Sequence, residues 1–130
     1  MRDLPRPESG AGPLARVAAW VQGAYFLLTG AWPILHIPSF EAITGPKTDD
    51  WLVETVGVIV AAVGVTLLLA AYRGRLTPEI RVLAILSAIG LGAIDVVYVS
   101  NGTLRPVYLL DAAAEAVLVL LWFVGWRREE

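Results

Sequence analysis

The sequence predicts an all-α integral membrane protein, with four transmembrane helices in an antiparallel bundle and both termini on the cytoplasmic side. Of its 130 residues, 57% are hydrophobic and 17% are charged, whereas soluble domains average about 45–50% apolar and about 25% charged residues. Four segments contain the roughly 20 mostly apolar residues that a membrane-spanning helix requires. They are residues 14–37, 51–72, 78–99 and 107–126.

The N-terminal segment differs in composition from the rest of the chain. Residues 1–13, MRDLPRPESGAGP, are rich in proline, glycine and polar side chains, which predicts a disordered cytoplasmic tail. Residues 14–130 then form one transmembrane domain. The first apolar segment is longer than the apolar core of a signal peptide, and no small-residue cleavage site follows it. We therefore expect this segment to be retained as a span.

The positive charges predict the orientation, because Lys and Arg in short loops stay on the cytoplasmic side. The short connections at 73–77 and 100–106 make successive helices antiparallel. With the N-terminus inside, eight basic residues are cytoplasmic (Arg2, Arg6, Arg16, Arg73, Arg75, Arg81, Arg127 and Arg128) and two are external (Lys47 and Arg105). These patterns predict a multi-pass protein of a bacterial-type plasma membrane with both termini inside the cell.

Local signals mark the ends of the helices. Residues 77–79, Thr-Pro-Glu, combine an N-cap hydroxyl, a proline suited to the first helical position and an acid favoured by the helix dipole. The Arg-Gly pair at 73–74 suits a helix end. Between the first two spans, residues 39–51 contain a Gly-Pro turn and are expected to form a surface cap on the outer side.

Acidic residues inside the predicted spans gather towards the outer side of the membrane. Asp95 and Asp111 each lie eight residues from Thr103, at the turn of the last hairpin, so both should have the same depth. Glu115 follows one helical turn deeper, about 6 Å at roughly 1.5 Å per residue. Glu54 and His36 lie near the outer ends of the second and first spans.

Small and polar residues also recur at the spacing that places them on one face of each helix. In membranes, small residues mark close helix packing, and polar residues turn away from lipid. The stripes are Gln22, Thr29, Pro33 and His36; Glu54, Gly57, Ala61 and Gly64; Ala84, Ala88, Gly92 and Asp95; and Asp111, Glu115 and Trp122. This convergence predicts an acid-lined pocket inside the bundle that opens outward.

The candidate site follows from these stripes. Carboxyl groups at this density in a low dielectric cannot all stay ionised, so we expect at least one to hold a proton near neutral pH. In an enzyme, Glu115, Asp95 and Asp111 would be the catalytic acids and bases. The candidate ligand-binding residues are Glu115, Asp95, Asp111, Glu54, His36, Tyr98 and Tyr108.

Several of these acids also have a structural interpretation. Glu54 lies in the first turn of its helix, where the dipole stabilises an acid that faces water. Asp95 and Asp111 are close enough in sequence to pair with Arg105. Glu115 lies deepest and has no basic residue near it in sequence, which favours a functional role.

Composition excludes several classes of function. The chain has no cysteine, which excludes disulfides, thiolate zinc sites and a quinone-linked disulfide enzyme. It has one histidine, so any metal site would depend on oxygen ligands. The net charge of −2 and the lack of a basic cluster argue against a nucleic-acid partner. No cofactor and no metal are predicted.

The function that these patterns favour is the binding of a small hydrophobic or cationic molecule, with proton-coupled transport as an extension. An acidic pocket within the membrane suits a hydrophobic cation. The size and four-span layout are similar to those of the small multidrug-resistance exporters. Those proteins keep their essential glutamate in the first helix, whereas residues 14–37 contain no acid here.

Three alternatives remain open, and the sequence does not decide whether the protein is an enzyme. An intramembrane acid–base enzyme, isomerase- or cyclase-like, would act on an apolar substrate at a site similar in type to that of membrane sterol isomerases. A divalent metal could bind Glu54, Asp95, Asp111 and Glu115, although no E-x-x-H pair is present. In an assembly or interaction subunit, the acids would serve helix–helix contacts. Lipid is a partner in every case, and a homo-oligomer is compatible with all of them.

Overall fold

A computed structural model of the chain describes residues 12–129. These residues form five helices and no β-strand: α1 (Pro13–Leu35), α2 (Ile37–Thr44), α3 (Asp50–Arg73), α4 (Pro78–Ser100) and α5 (Tyr108–Arg128). Most of the predicted tail, residues 1–13, lies outside the described residues. The chain is therefore all-helical over the described range, as the sequence predicts.

Three of the helices, α3, α4 and α5, are long and apolar enough to cross a membrane. This supports the membrane class, and the three helices begin and end within two residues of the predicted spans. Helix α1 has 23 residues but is not in that apolar set. Glycine, tryptophan and polar residues, Gln22 among them, lower its hydropathy.

The connection after α1 differs from the expected surface loop, because its first part is helical. His36 interrupts the helix with φ −157° and ψ 82° and becomes the N-cap of α2. Its Nδ1 atom accepts a hydrogen bond from the backbone N–H of Ser39 at 3.2 Å, and Pro38 occupies the first turn. A side-chain cap followed by proline is sufficient to restart a helix at this point.

Helix α1 packs most extensively against α3, and glycines make this contact close. A Cβ atom added to Gly57 would lie 2.5 Å from the carbonyl oxygen of Gly30, and one added to Gly64 would lie 2.5 Å from the amide nitrogen of Leu27. Both distances are shorter than a van der Waals contact, so only glycine permits this approach. The predicted small-residue stripe of α3 lies in this contact.

Pairs of contacts show the relative directions of the helices. Gly30 of α1 meets Gly57 of α3, whereas Gly23 meets Gly64, so these two helices are antiparallel. Helices α4 and α5 pack against each other, and α1 also contacts α5. Helices α3 and α4 follow one another in sequence but make few contacts, so they diverge and leave a gap.

Candidate functional site

A cavity of about 590 Å³ lies where α3 and α4 diverge, at the end of the molecule that includes α2 and the α4–α5 connection. Its walls are mostly aliphatic and aromatic. The polar groups that line it are Tyr25, Thr29, Thr44, Lys47, Asp95, Tyr108, Asp111 and Glu115. The volume is within the range of about 300–1,000 Å³ that is typical of small-molecule sites.

Three carboxyl groups form a cluster on the wall of this cavity. Asp95 of α4 and Asp111 and Glu115 of α5 all line this cavity. Asp95 is 5% exposed and Glu115 is 2% exposed. One oxygen of each, Oδ2 of Asp95 and Oε1 of Glu115, is buried without a hydrogen-bond partner. Buried oxygens of this kind are available to a proton donor or to a ligand.

The packing of α4 against α5 brings the cluster together. A Cβ atom added to Gly92 would lie 3.3 Å from the Cβ of Glu115, so the glycine leaves space for the Glu115 side chain beside α4. Asp95 follows Gly92 by three residues, on the same face of the helix. The short connection between α4 and α5 then brings Asp111 to the level of Asp95.

No basic side chain of residues 12–129 pairs with the three carboxyls. Arg105, which the sequence offers as a partner, instead donates to the carbonyl of Ala42 at 3.4 Å. The Lys47 ammonium donates to the carbonyl and hydroxyl oxygens of Thr44 and to the carbonyl of Gly45. The acid cluster therefore has no internal counter-charge within the described part of the chain.

Tyr25 of α1 supplies a hydrogen bond to the cluster. Its hydroxyl donates to Oδ1 of Asp111, and its ring lines the cavity. The sequence analysis did not select Tyr25, although it lies three residues after Gln22 and four before Thr29, on the predicted polar stripe. An aromatic ring is typical of a packing residue. The spacing of Tyr25 from Gln22 and Thr29 was the sequence signal that could have identified it as part of the polar stripe.

A second buried polar group, the Gln22 side chain, lies three residues before Tyr25 on α1. The Gln22 side chain accepts a hydrogen bond from Nε1 of Trp122 at 2.6 Å, and it donates to the carbonyl of Ala84 at 3.0 Å. Gln22 and Trp122 are fully buried. These hydrogen bonds join α1, α4 and α5.

An ion pair holds the opposite end together. Nη2 of Arg81 lies 2.9 Å from Oε1 of Glu129, and the other carboxylate oxygen accepts from the backbone N–H of Gly12. The Arg81 guanidinium also lies 5.3 Å from the ring centroid of Trp126. These contacts join the start of α1, α4 and the end of α5.

The other sequence-predicted site residues lie in different places. Tyr108 lines the cavity with the acids, and Lys47 Nζ lies 5.4 Å from the centroid of its ring. Glu54 and Tyr98 are exposed and do not line the cavity. His36 is exposed and caps α2. The structure thus brings Asp95, Asp111, Glu115 and Tyr108 together and leaves Glu54, Tyr98 and His36 outside.

Glu41 of α2 and Asp50 of α3 form a separate acidic pair. A hydrogen bond with the Asp50 carboxyl raises the pKa of Glu41, and burial and the Asp50 charge act in the same direction, while Lys47 opposes them. Lys47 also lies 5.6 Å from the centroid of Phe40. This side chain therefore holds α2 beside the start of α5.

Within residues 12–129, no three histidine or acidic side chains are arranged to hold a metal ion. Comparison with protein-family models, with curated proteins and with solved structures finds no match to this chain. The proposed function therefore rests on the chemistry of the cavity.

Proposed function

We propose that this protein binds a small hydrophobic cation in an acid-lined cavity within the plasma membrane. The observation that carries the proposal is a mostly apolar cavity of about 590 Å³ whose wall holds Asp95, Asp111 and Glu115, with no basic partner among the described residues. A charged group in this setting is costly unless it is paired or protonated. A cation with an apolar body fits both the charge and the walls.

The proposal includes four spans with both termini in the cytoplasm. Helix α1 is the proposed fourth span, and its position supports this, because it lies beside the apolar helices along most of its length. Near one end, a Cβ on Gly125 of α5 would lie 3.0 Å from Ala15 N, and near the other end Gly30 meets Gly57 of α3. The positive charges support this orientation. The cavity then lies in the outer half of the membrane.

The gap between α3 and α4 is the route by which a hydrophobic ligand would enter. Val56 and Val60 of α3 and Leu91 and Ile94 of α4 line the cavity on its two sides, and the two helices make few contacts. A ligand dissolved in the outer leaflet would reach the acids without crossing water. If protons compete with the cation for the carboxyls, the same site supports proton-coupled transport.

Binding of tetraphenylphosphonium to the protein in lipid nanodiscs, measured by calorimetry, tests the proposal. The triple variant Asp95→Asn, Asp111→Asn, Glu115→Gln keeps the shape of the cluster but removes its charge. We expect it to lose binding by at least about tenfold, the cost of one charged interaction. Glu79→Gln, which changes an exposed acid at the other end of α4, is the matched control.

Two further measurements complete this test. Circular dichroism and gel filtration establish that the triple variant is folded, and acidification of the wild-type protein should abolish binding without any substitution. A cation that binds equally to the wild type and to a folded triple variant would contradict the proposal. The acids would then serve helix contacts in an interaction subunit.

An intramembrane acid–base enzyme is the second candidate. Asp95 and Glu115 favour it, because each has a buried oxygen without a partner, and one carboxyl can donate a proton while its neighbour accepts one. Such an enzyme would exchange carbon-bound hydrogen of an apolar substrate with solvent. Incubation with membrane lipid extract in D₂O, followed by mass spectrometry, would reveal deuterium incorporation that depends on Glu115.

A further inference from the structure

The lining of the cavity holds hydrogen-bond acceptors without a partner, whereas most of its donors are already bonded. We infer that its ligand is a protonated primary or secondary amine with an apolar body, whose N–H groups donate to Asp95 and Glu115; this rests on the proposed function and narrows its ligand class. A cation such as tetraphenylphosphonium carries the same charge but has no N–H group.

The acceptors are two carboxyl oxygens. Oδ2 of Asp95 and Oε1 of Glu115 are buried without a hydrogen-bond partner, and both side chains line the cavity. A carboxyl group keeps at least one acceptor oxygen whether or not it is protonated. Leaving a buried acceptor unpaired is costly, so a ligand that donates to these oxygens gains that free energy.

Six side chains that line the cavity can donate hydrogen bonds, and five of them donate to other groups of the protein. The hydroxyl of Tyr25 donates to Asp111, and the hydroxyl of Thr29 donates to the carbonyl of Tyr25 at 2.7 Å. Nε1 of Trp32 donates to the Ser39 hydroxyl at 2.9 Å. The six donors are Tyr25, Thr29, Trp32, Thr44, Lys47 and Tyr108.

The Lys47 ammonium, the one cation in this lining, uses all three of its N–H groups. It donates to the carbonyl and hydroxyl oxygens of Thr44 at 3.2 and 3.1 Å and to the carbonyl of Gly45 at 2.7 Å. The Thr44 hydroxyl donates to the carbonyl of Phe40 at 2.8 Å. These groups therefore have no further N–H or O–H to offer the acids.

Tyr108, at the start of α5, is the sixth donor. It precedes Glu115 by seven residues, about 10 Å along the helix, and neither of the two buried oxygens accepts a hydrogen bond from it. Among the described residues that line the cavity, no side chain donates to Oδ2 of Asp95 or to Oε1 of Glu115. The ligand must therefore bring the donors.

The packing of α4 against α5 places both carboxyl groups within reach of one ammonium ion. A Cβ atom added to Gly92 would lie 3.3 Å from the Cβ of Glu115, so Glu115 lies directly against α4 at this point. Asp95 follows Gly92 by three residues, about 4.5 Å along the same face. One ammonium ion that donates to both groups needs two N–H groups, which primary and secondary amines have.

Charge recognition and hydrogen bonding predict opposite effects of N-methylation. If the site recognised only the charge and the apolar body, each added methyl group would strengthen binding, because it adds apolar surface to bury. If the N–H groups donate to the acids, removing one leaves a buried acceptor unpaired. Sites built to hydrogen-bond a ligand discriminate strongly against an analogue that lacks the donor.

The probes for this test are 1-adamantylammonium and its N-methyl, N,N-dimethyl and N,N,N-trimethyl derivatives. All four are monocations at pH 7, with three, two, one and no N–H groups. Calorimetry on the protein in lipid nanodiscs should give similar affinities for the first two and a fall of about tenfold at each of the next two steps, the cost of one charged hydrogen bond. An affinity that stays constant or rises along the series would overturn the inference.

Apolar substitutions test the two acceptors separately. Glu115→Met and Asp95→Leu each remove one acceptor, so a single N–H group is then sufficient. We expect each variant to bind the secondary and tertiary amines equally and to keep only the last tenfold step. Glu79→Met, at an exposed acid on the other end of α4, is the matched control and should keep both steps. A folded Glu115→Met or Asp95→Leu protein that keeps both steps would contradict the assignment.

Failure of the inference and failure of the proposed function give different results. If neither tetraphenylphosphonium nor any adamantyl cation binds to the wild-type protein, both are wrong. If tetraphenylphosphonium and the trimethyl derivative bind at least as tightly as the primary amine, the proposed function stands and the amine assignment is wrong. Because the methylation series is measured on the wild-type protein, this outcome does not depend on the folding of any variant.

Discussion

The hydroxyl of Tyr25 on α1 donates a hydrogen bond to Asp111 on α5, joining residues that are 86 positions apart in the chain. This contact links the α4–α5 hairpin, which carries the three acids, to the helix that packs against α3. The acid cluster therefore depends on the placement of α1, which is held by glycine contacts with α3. Changes in helix packing should consequently affect both stability and ligand binding.

Gly57→Ala should destabilise the protein by about 1–3 kcal/mol, the usual cost of inserting a methyl group where there is no space. Its Cβ would lie 2.5 Å from the carbonyl oxygen of Gly30, which belongs to the backbone and cannot rotate away. Thermal or denaturant unfolding in a fixed detergent measures the effect. Gly90→Ala is the control, because a Cβ at Gly90 would have no neighbour within 4 Å. Equal stability of the two variants would show that α1 and α3 are not closely packed.

Trp122→Phe should cost about 1 kcal/mol through loss of its hydrogen bond to Gln22, a typical value for polar contacts between membrane helices. The substitution leaves Oε1 of Gln22 buried without its partner. Gln22→Leu removes the polar group itself, so the double variant should lose less stability than the sum of the two single variants. Unfolding free energies of all four proteins measure the coupling. Strictly additive losses would indicate that the two side chains do not interact.

Both termini should lie in the cytoplasm, because positive charges are concentrated on that side of the predicted topology. The chain contains no cysteine, so Thr48→Cys introduces a unique thiol next to the start of α3. We expect a membrane-impermeant maleimide to label it from outside intact cells. A reporter fused after Glu130 should be active only in its cytoplasmic form. An external C-terminus would move the acid cavity to the inner half of the membrane.

The contact between Glu41 and Asp50 should depend on pH. The hydrogen bond with Asp50 raises the pKa of Glu41, so the folded protein binds this proton more tightly than the unfolded chain does. The stabilisation is present at low pH and is lost as the pH rises through the folded-state pKa. We expect the carboxyl NMR signal of Glu41 to titrate above the usual range of glutamate. Asp50→Asn should lower the midpoint, and an unchanged midpoint would show that Asp50 is not its cause.

Sequence reasoning predicted the depth of the acidic residues along each helix more successfully than the side of the helix to which their side chains point. Counting from the short α4–α5 connection placed Asp95 and Asp111 at one level, and both line the same cavity. The same reasoning placed Glu54 on an inward stripe, but its side chain is exposed. A stripe at helical spacing is broad, and glycines of α3 set which part of it faces α1.

The apolar length of α3, α4 and α5 is a local property, because burial in lipid depends on the composition of each segment, so the sequence was sufficient to predict the membrane class. The hydrogen-bond partner of Asp111, Tyr25, lies far from it in the sequence. Tyr25 reaches it because close glycine packing holds α1 against α3 while α5 packs on another face of α1, and none of these rotations follows from hydropathy. The restart of the chain as α2 similarly required the His36 side chain to turn back onto Ser39. Apolar patterning thus identifies the helices that are able to cross a membrane, while contacts between distant segments determine which polar groups meet.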